Sequence, residues 1–259
     1  MDEQQQRTTI RNMLEKMPFS RHEVLFVHSA FKTFSRDGYT PKIVLHTLID
    51  HMEPGTLLLP TMSWRYVKPH QPYFDEQSTP SNTGILTEIF RQRYATHRSL
   101  HPTHSVAGIG SSTAELLSAH HQCVTPCGQA SPFGKLINAN AYIIMLGVGM
   151  DCCTLVHHAE EMMAPSHYVK PESETEVYPC RNRLGKVIPV KLRRHLFLPR
   201  NYWQFQDKLA EQGELTVFRC DNSICFGFRA KKLFETVTNA LNYAPNAIVA
   251  KPGQRYRMM

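Results

Sequence analysis

Between Leu146 and Met163 the chain reads LGVGMDCCTLVHHAEEMM, its densest run of reactive side chains. His157 stands three residues before Glu160, and His158 three before Glu161. On a helix, residues at that spacing share a face, so each imidazole can be oriented by a carboxylate. The carboxylate fixes the tautomer of its imidazole and stabilises the imidazolium, which is the arrangement of a general base. The same residues admit three other readings. One histidine can lie in the core and the other on the surface. The HHAEE cluster can hold a metal, although zinc needs further ligands, for which His28, His101 and His104 are candidates. Cys153, one turn before His157, can act as a nucleophile or be a small buried residue. Spacing alone leaves all four open.

Such a site needs elements to position it. AYIIMLGVG (141–149) predicts a buried strand, and TLVHHAEEMM (154–163) a helix with Thr154 as its cap. In open α/β sheets, ligands gather at the carboxyl ends of strands, beside helix N-termini. Asp151, just before the helix, suits the environment of His157 or the positive end of the helix dipole. Upstream, the apolar run VLFVH (24–28), a helical pattern over 41–52 with Pro41 first, and TLLLP (56–60) form a β–α–β unit. That order predicts parallel strands joined by a helical crossover. Helices are expected over 7–17, 84–94 and 111–119, with a last one ending near 243, and a strand over 105–110.

Residues 61–83 read as a long loop, and loops of that length are often functional. Its Asp75 reads either as a contact for a substrate ammonium or as a surface carboxylate. After Pro165 the pattern alternates and carries turn signals, as an antiparallel excursion or lid would. The expected fold is α/β, with a mixed, largely parallel central sheet flanked by helices, in one domain spanning 1–259.

The composition of 42% hydrophobic and 20% charged residues is that of a folded domain. The net charge of +7 suits anionic partners. The basic residues are dispersed, so no nucleic-acid partner is expected. No apolar run approaches the roughly 18 residues of a membrane span. The N-terminus is polar, and the seven cysteines form no regular framework. Reduced thiols and a cytoplasmic location are expected.

Six segments in order resemble the aminoglycoside 3-N-acetyltransferase family in its broad sense. They are VLFVHSAFKTF (24–34), GTLLLPTMSW (55–64), TPSNTGILTEIFR (79–91), HRSLHPTHSVAGIG (97–110), TPCGQASPFGKL (125–136) and LGVGMDCCTLVHHAE (146–160). The resemblance implies acetyl transfer from acetyl-CoA to a small-molecule amine, with no metal. It places the base and its partner of a T-x-x-H-x-x-E pattern on His157 and Glu160, with Thr154 at its start. It places CoA contacts on His28, Ser29, Ala30, Ser105, Val106, Ser131, Phe133 and Lys135. His101 and Pro102 also match, and read as shaping their loop. Gln129 stands where family members often carry an acid, and the chain is net basic. Both observations favour a smaller amine, with an anionic group, at least as much as a polycationic drug. A CoA-binding relative without activity and a metal hydrolase built on HHAEE are the alternatives from other classes. An oligomer is compatible with the sequence.

Overall fold

Three short runs with almost no exposed side chains form the centre of the sheet in a computed structural model that describes residues 1–259. They are β1 (Val24–Ser29), β2 (Thr56–Pro60) and, four strands later in the chain, a run over Tyr142–Leu146. Between them come β3 (Phe74–Asp75), β4 (His97–Arg98) and β5 (Val106–Gly110), so the Tyr142–Leu146 strand is β6. The chain continues with β7 (Glu176–Arg181), β8 (Val187–Leu192), β9 (Pro199–Arg200), β10 (Thr216–Cys220), β11 (Ser223–Arg229) and β12 (Arg257–Met258).

The seven-stranded sheet has the order β10-β11-β6-β1-β2-β5-β4. β1 runs parallel to both β2 and β6, with Leu25 opposite Leu57 and Tyr142. The flanks are antiparallel: β11 to β6 and β10 on one side, β5 to β2 and β4 on the other. The sheet is therefore mixed with a parallel core, as expected. The β10–β11 hairpin, which the sequence reading left unassigned, closes one flank.

Successive strand side chains point to opposite faces, and both faces are covered. Phe26, Leu58, Ile143 and Met145 join one core with the helices Pro132–Asn138, Leu155–Met163, Trp203–Glu211 and Ala230–Tyr243. Leu25, Val27, Leu57, Leu59, Ile144 and Leu146 join the other with Glu3–Lys16, Pro41–Met52 and Ile85–Arg93. A strand buried on both faces must read as an apolar run rather than an alternation, and these three do. No helix is long and apolar enough to cross a membrane.

The 165–200 region carries the antiparallel β7–β8 hairpin, and β3 from the 61–83 loop adds to it in parallel. A small core of its own, including Phe74, Tyr178 and Val190, holds it down. Arg98 pins the incoming loop: its buried guanidinium donates to the Thr61, Glu76 and Thr79 carbonyls.

Candidate active site

Because β1, β2 and β6 are parallel, their carboxyl ends open on the same edge of the sheet. A cavity of about 650 Å³ lies there. Ser29 and Ala30 line it at the end of β1, Met62 and Trp64 from the segment after β2, and Asp151 to Thr154 from the segment after β6. Gly147 makes the turn out of β6 at φ +64, where a Cβ would fall 2.9 Å from the Phe34 ring. A side chain there would be strained and crowded at once.

His157 enters this cavity from the first turn of the Leu155–Met163 helix. Its Nδ1 lies 2.8 Å from Glu160 Oε2, and the Tyr202 hydroxyl lies 2.9 Å from the same nitrogen. Tyr202 donates to Glu160 Oε1 at 3.0 Å, and Arg200 Nε donates to that oxygen at 2.9 Å. Glu160 and Arg200 are wholly buried. Burial opposes the charge on Glu160, but the His157 ring and the Arg200 guanidinium outweigh it and hold the carboxyl below its usual range. An ionised carboxylate only accepts, so the proton between the pair sits on His157 Nδ1. The Tyr202 hydroxyl is 3.5 Å from Nε2, at the far end of hydrogen-bonding range. Nε2 thus keeps its lone pair. Burial lowers the His157 pKa despite Glu160, so the ring is neutral and ready to accept a proton at neutral pH.

A second histidine stacks on it. The His195 ring is 4.1 Å from that of His157 at 18°, and its Nε2 lies 2.7 Å from Glu161 Oε1. His104 meets His195 edge-on at 5.4 Å. Burial pushes Glu161 up to about 8. The HHAEE cluster does not converge on one point. His158 Nδ1 turns away to the Cys127 carbonyl at 2.6 Å, and Glu161 takes the Cys127 N–H at 2.8 Å. Each of the four has its own protein partner, an arrangement that does not favour HHAEE as one ligand set. Cys127, Glu161 and His195 do approach one another, but the 2.7 Å between the last two is a hydrogen-bond distance. Cys153 is fully buried, and burial pushes its thiol up to about 12. It lacks the thiolate that nucleophilic chemistry needs. All seven cysteines are free.

Of the residues expected to contact CoA, His28, Ser29 and Ala30 line the cavity, and Asp151, Thr154 and His157 share it with them. The others stand elsewhere. The Ser105 hydroxyl donates to the Thr61 carbonyl and accepts from Arg98. Val106 and Phe133 are core residues. Ser131 caps the Pro132–Asn138 helix by accepting from Gly134 N, and Lys135 Nζ donates to the Glu115 carbonyl. Asp75, read as a contact for a substrate ammonium, accepts from the Gln77 and Ser78 amides of its own turn, beside Arg181. These six have partners within the fold and are not among the residues lining this cavity. Thr154 takes a helical conformation and makes no capping bond, so its expected cap is absent. His101 Nδ1 accepts from Thr103 N and His104 N, which shapes the loop as expected.

Sequence reasoning missed Arg200, Tyr202, His195 and Arg257. A signal existed for the first: in LFLPRNYWQF one arginine stands inside an apolar and aromatic stretch, and a charge in such a stretch needs a buried partner.

The histidines also set an acid limit on the fold. Burial lowers His28 and His120 to about 3, and His101, His104 and His195 well below the usual 6.5. In the unfolded chain each titrates near 6.5. Folded pKa values below unfolded ones give stability that is present above 6.5 and lost as pH falls toward the folded values. Glu161, raised from 4.5 to about 8, works the other way between those values. Each neutral-held ring contributes up to about 1.4 kcal/mol per pH unit, and five outweigh one. The urea midpoint should drop between pH 7.5 and 5.5; a constant midpoint would refute this account.

Three comparisons bear on the chain. A family model described as aminoglycoside 3-N-acetyltransferase matches residues 26–242. The aminoglycoside N(3)-acetyltransferase III of Pseudomonas aeruginosa is 28% identical over 176 residues, covering 61% of this chain and 62% of that protein. The SPbeta prophage-derived aminoglycoside N(3')-acetyltransferase-like protein YokD of Bacillus subtilis (strain 168) is 25% identical, with 59% and 63% covered. The matched stretch spans less than two thirds of either relative's length. Among solved structures, YokD superposes with a TM-score of 0.78 at 20% identity, covering 93% of this chain and 94% of that one. AAC-IIIb in a binary structure with CoASH gives 0.77 at 22%, covering 96% and 98%. These two likenesses concern the fold.

Proposed function

The chain belongs to the aminoglycoside 3-N-acetyltransferase family, and on that premise we propose that it moves an acetyl group from acetyl-CoA to a primary amine, with His157 as general base. The observation that carries the proposal is the ordered row Nε2–His157–Nδ1···Glu160···Arg200 at the wall of the cavity.

A protonated amine has no lone pair and cannot attack a thioester. The ammonium form first gives one proton to solvent, and as the neutral nitrogen bonds to the acetyl carbon His157 Nε2 takes its second proton, so that the product nitrogen is a neutral amide. Glu160, held in place by Arg200 and Tyr202, stabilises the imidazolium that results. As the carbon–sulfur bond breaks, the imidazolium returns its proton to the leaving sulfur. The Thr154 hydroxyl, free of any capping role and on the cavity wall, is the donor assigned to the tetrahedral oxyanion. The His28, Ser29 and Ala30 turn is assigned to the pantetheine arm. His28 Nε2 is buried without a hydrogen-bond partner, and a pantetheine amide would supply one. Direct transfer needs no acyl-enzyme, in keeping with the buried thiol of Cys153.

The test is release of CoA thiol from acetyl-CoA by the purified protein with a panel of amines, and mass spectrometry of the products. N-acetylated amine with no covalent acetyl on the protein is the expected result. Binding of acetyl-CoA without turnover across the panel would instead favour a non-catalytic relative.

A further inference from the structure

The charges on the cavity wall restrict what the acceptor can be. Asp151 is the one carboxylate side chain among the lining residues, and Arg257 Nη1 already holds it at 3.0 Å. Two guanidiniums line the same space, Arg194 and Arg257. Arg194 is matched from outside the wall by Glu176 at 2.8 Å. Arg257 is about half exposed, and both of its protein contacts, to Asp151 and to the Cys152 sulfur at 2.7 Å, use Nη1. Its remaining donors form a fork suited to a carboxylate or phosphate-type anion. The lining histidines add no negative charge. A compound with several ammonium groups would meet no unpaired carboxylate side chain here, and a cation desolvated without one is costly. The mouth is apolar, with Trp64 45% and Phe197 73% exposed.

We infer that the acceptor is a primary amine that also carries a carboxylate or phosphate-type anion, recognised by Arg257, with a flat or apolar body against the Trp64 and Phe197 rim. The inference rests on the transfer reaction proposed above and names its acceptor class. It separates this chain from a polycation-acetylating role. It also makes Asp151 a masked carboxylate: Arg257 neutralises it, so removing the arginine turns the same wall from anion-selective to cation-selective.

The experiment is calorimetry on CoA-saturated protein, so that phosphates of the co-substrate are already in place. The probes share one ring: para-aminomethyl benzoate, para-aminomethyl benzenephosphonate, benzylamine and para-aminomethyl benzylamine, with gentamicin alongside as a polycation. Wild type should bind an anionic probe at least about tenfold more tightly than the diamine or gentamicin, and the two anionic probes separate carboxylate from phosphate-type recognition. Arg257→Ala should erase or reverse that order, Arg257→Lys should keep it weakened, and Asp151→Asn should sharpen it. The inference is overturned if the diamine or gentamicin binds best, if no probe is discriminated by charge, or if Arg257→Ala changes only the KM for acetyl-CoA. Thiol release with the same probes reads the reaction separately. The expected binding order without turnover overturns the transfer reaction and leaves the ligand class standing; turnover that prefers the diamine does the reverse.

Discussion

His157→Ala should lower kcat by about 10²–10⁴-fold, the usual contribution of a positioned general base, while KM for acetyl-CoA changes little. The reason is local. Only Nε2 of His157 is free to meet an acceptor nitrogen in the proposed reaction, because the Nδ1 side faces Glu160 and Tyr202. Removing the ring takes away the proton acceptor and leaves the β1 turn at His28 to Ala30, assigned to the co-substrate, untouched. Added imidazole should restore part of the rate to the alanine variant, because the cavity then has room for a free ring. A merely structural role would not produce that rescue. Glu160→Gln should fall between the two proteins in kcat: an amide cannot stabilise the imidazolium, although it keeps a hydrogen-bond acceptor for Nδ1. Retention of more than about a tenth of wild-type kcat by His157→Ala would remove it from the role of base.

Arg200→Met should destabilise the fold by about 3–5 kcal/mol, the cost of breaking a buried pair from one side. Arg200 is fully buried. It donates to Glu160 Oε1 at 2.9 Å and to the carbonyls of Leu196 and Met259, and its guanidinium lies over the Tyr168 ring at 5.6 Å. Methionine fills much of the volume but strands the Glu160 carboxylate in a dry site. The double variant Arg200→Met, Glu160→Gln should recover part of the loss, because no buried charge then lacks its partner. Urea unfolding of the four proteins reads the coupling directly. Additive losses would mean that the two side chains do not act as a pair.

The parallel core was legible because burial on both faces leaves a composition signature. VLFVH, TLLLP and YIIML hold at most one polar residue each, and the helical pattern over 41–52 supplies the crossover between the first two. The dyad was legible because its two members are three residues apart on one helix. Arg200 and Tyr202 lie 40 and 42 residues from Glu160, and no local spacing encodes a meeting at that range. The β10–β11 hairpin escaped for another reason. Val217 and Ile224 are 60% and 61% exposed, so apolar residues sit on its solvent side as well and blur the alternation. Its turn rests on Asp221 at φ +49, a conformation that aspartate tolerates but does not advertise. Ser131, Phe133 and Lys135 matched a family segment, yet that segment builds a helix and its cap, and a motif does not say which of its residues face a ligand.

The proposed base and the proposed acceptor wall come from different stretches of chain. His157 and Glu160 belong to the helix after β6, whereas Arg194, His195 and Phe197 precede β9, and Arg257 to Met259 lie beside it through β12. Heredity can therefore treat them separately. On the proposed assignment, substitutions at 194–197 or 257–259 retune which amine is accepted while descendants inherit His157 and Glu160 unaltered. Arg200 sets a bound on that freedom, because it stands next to the first of these stretches and carries the charge that Glu160 requires. A lineage that explores new acceptors has latitude around this arginine and very little at it.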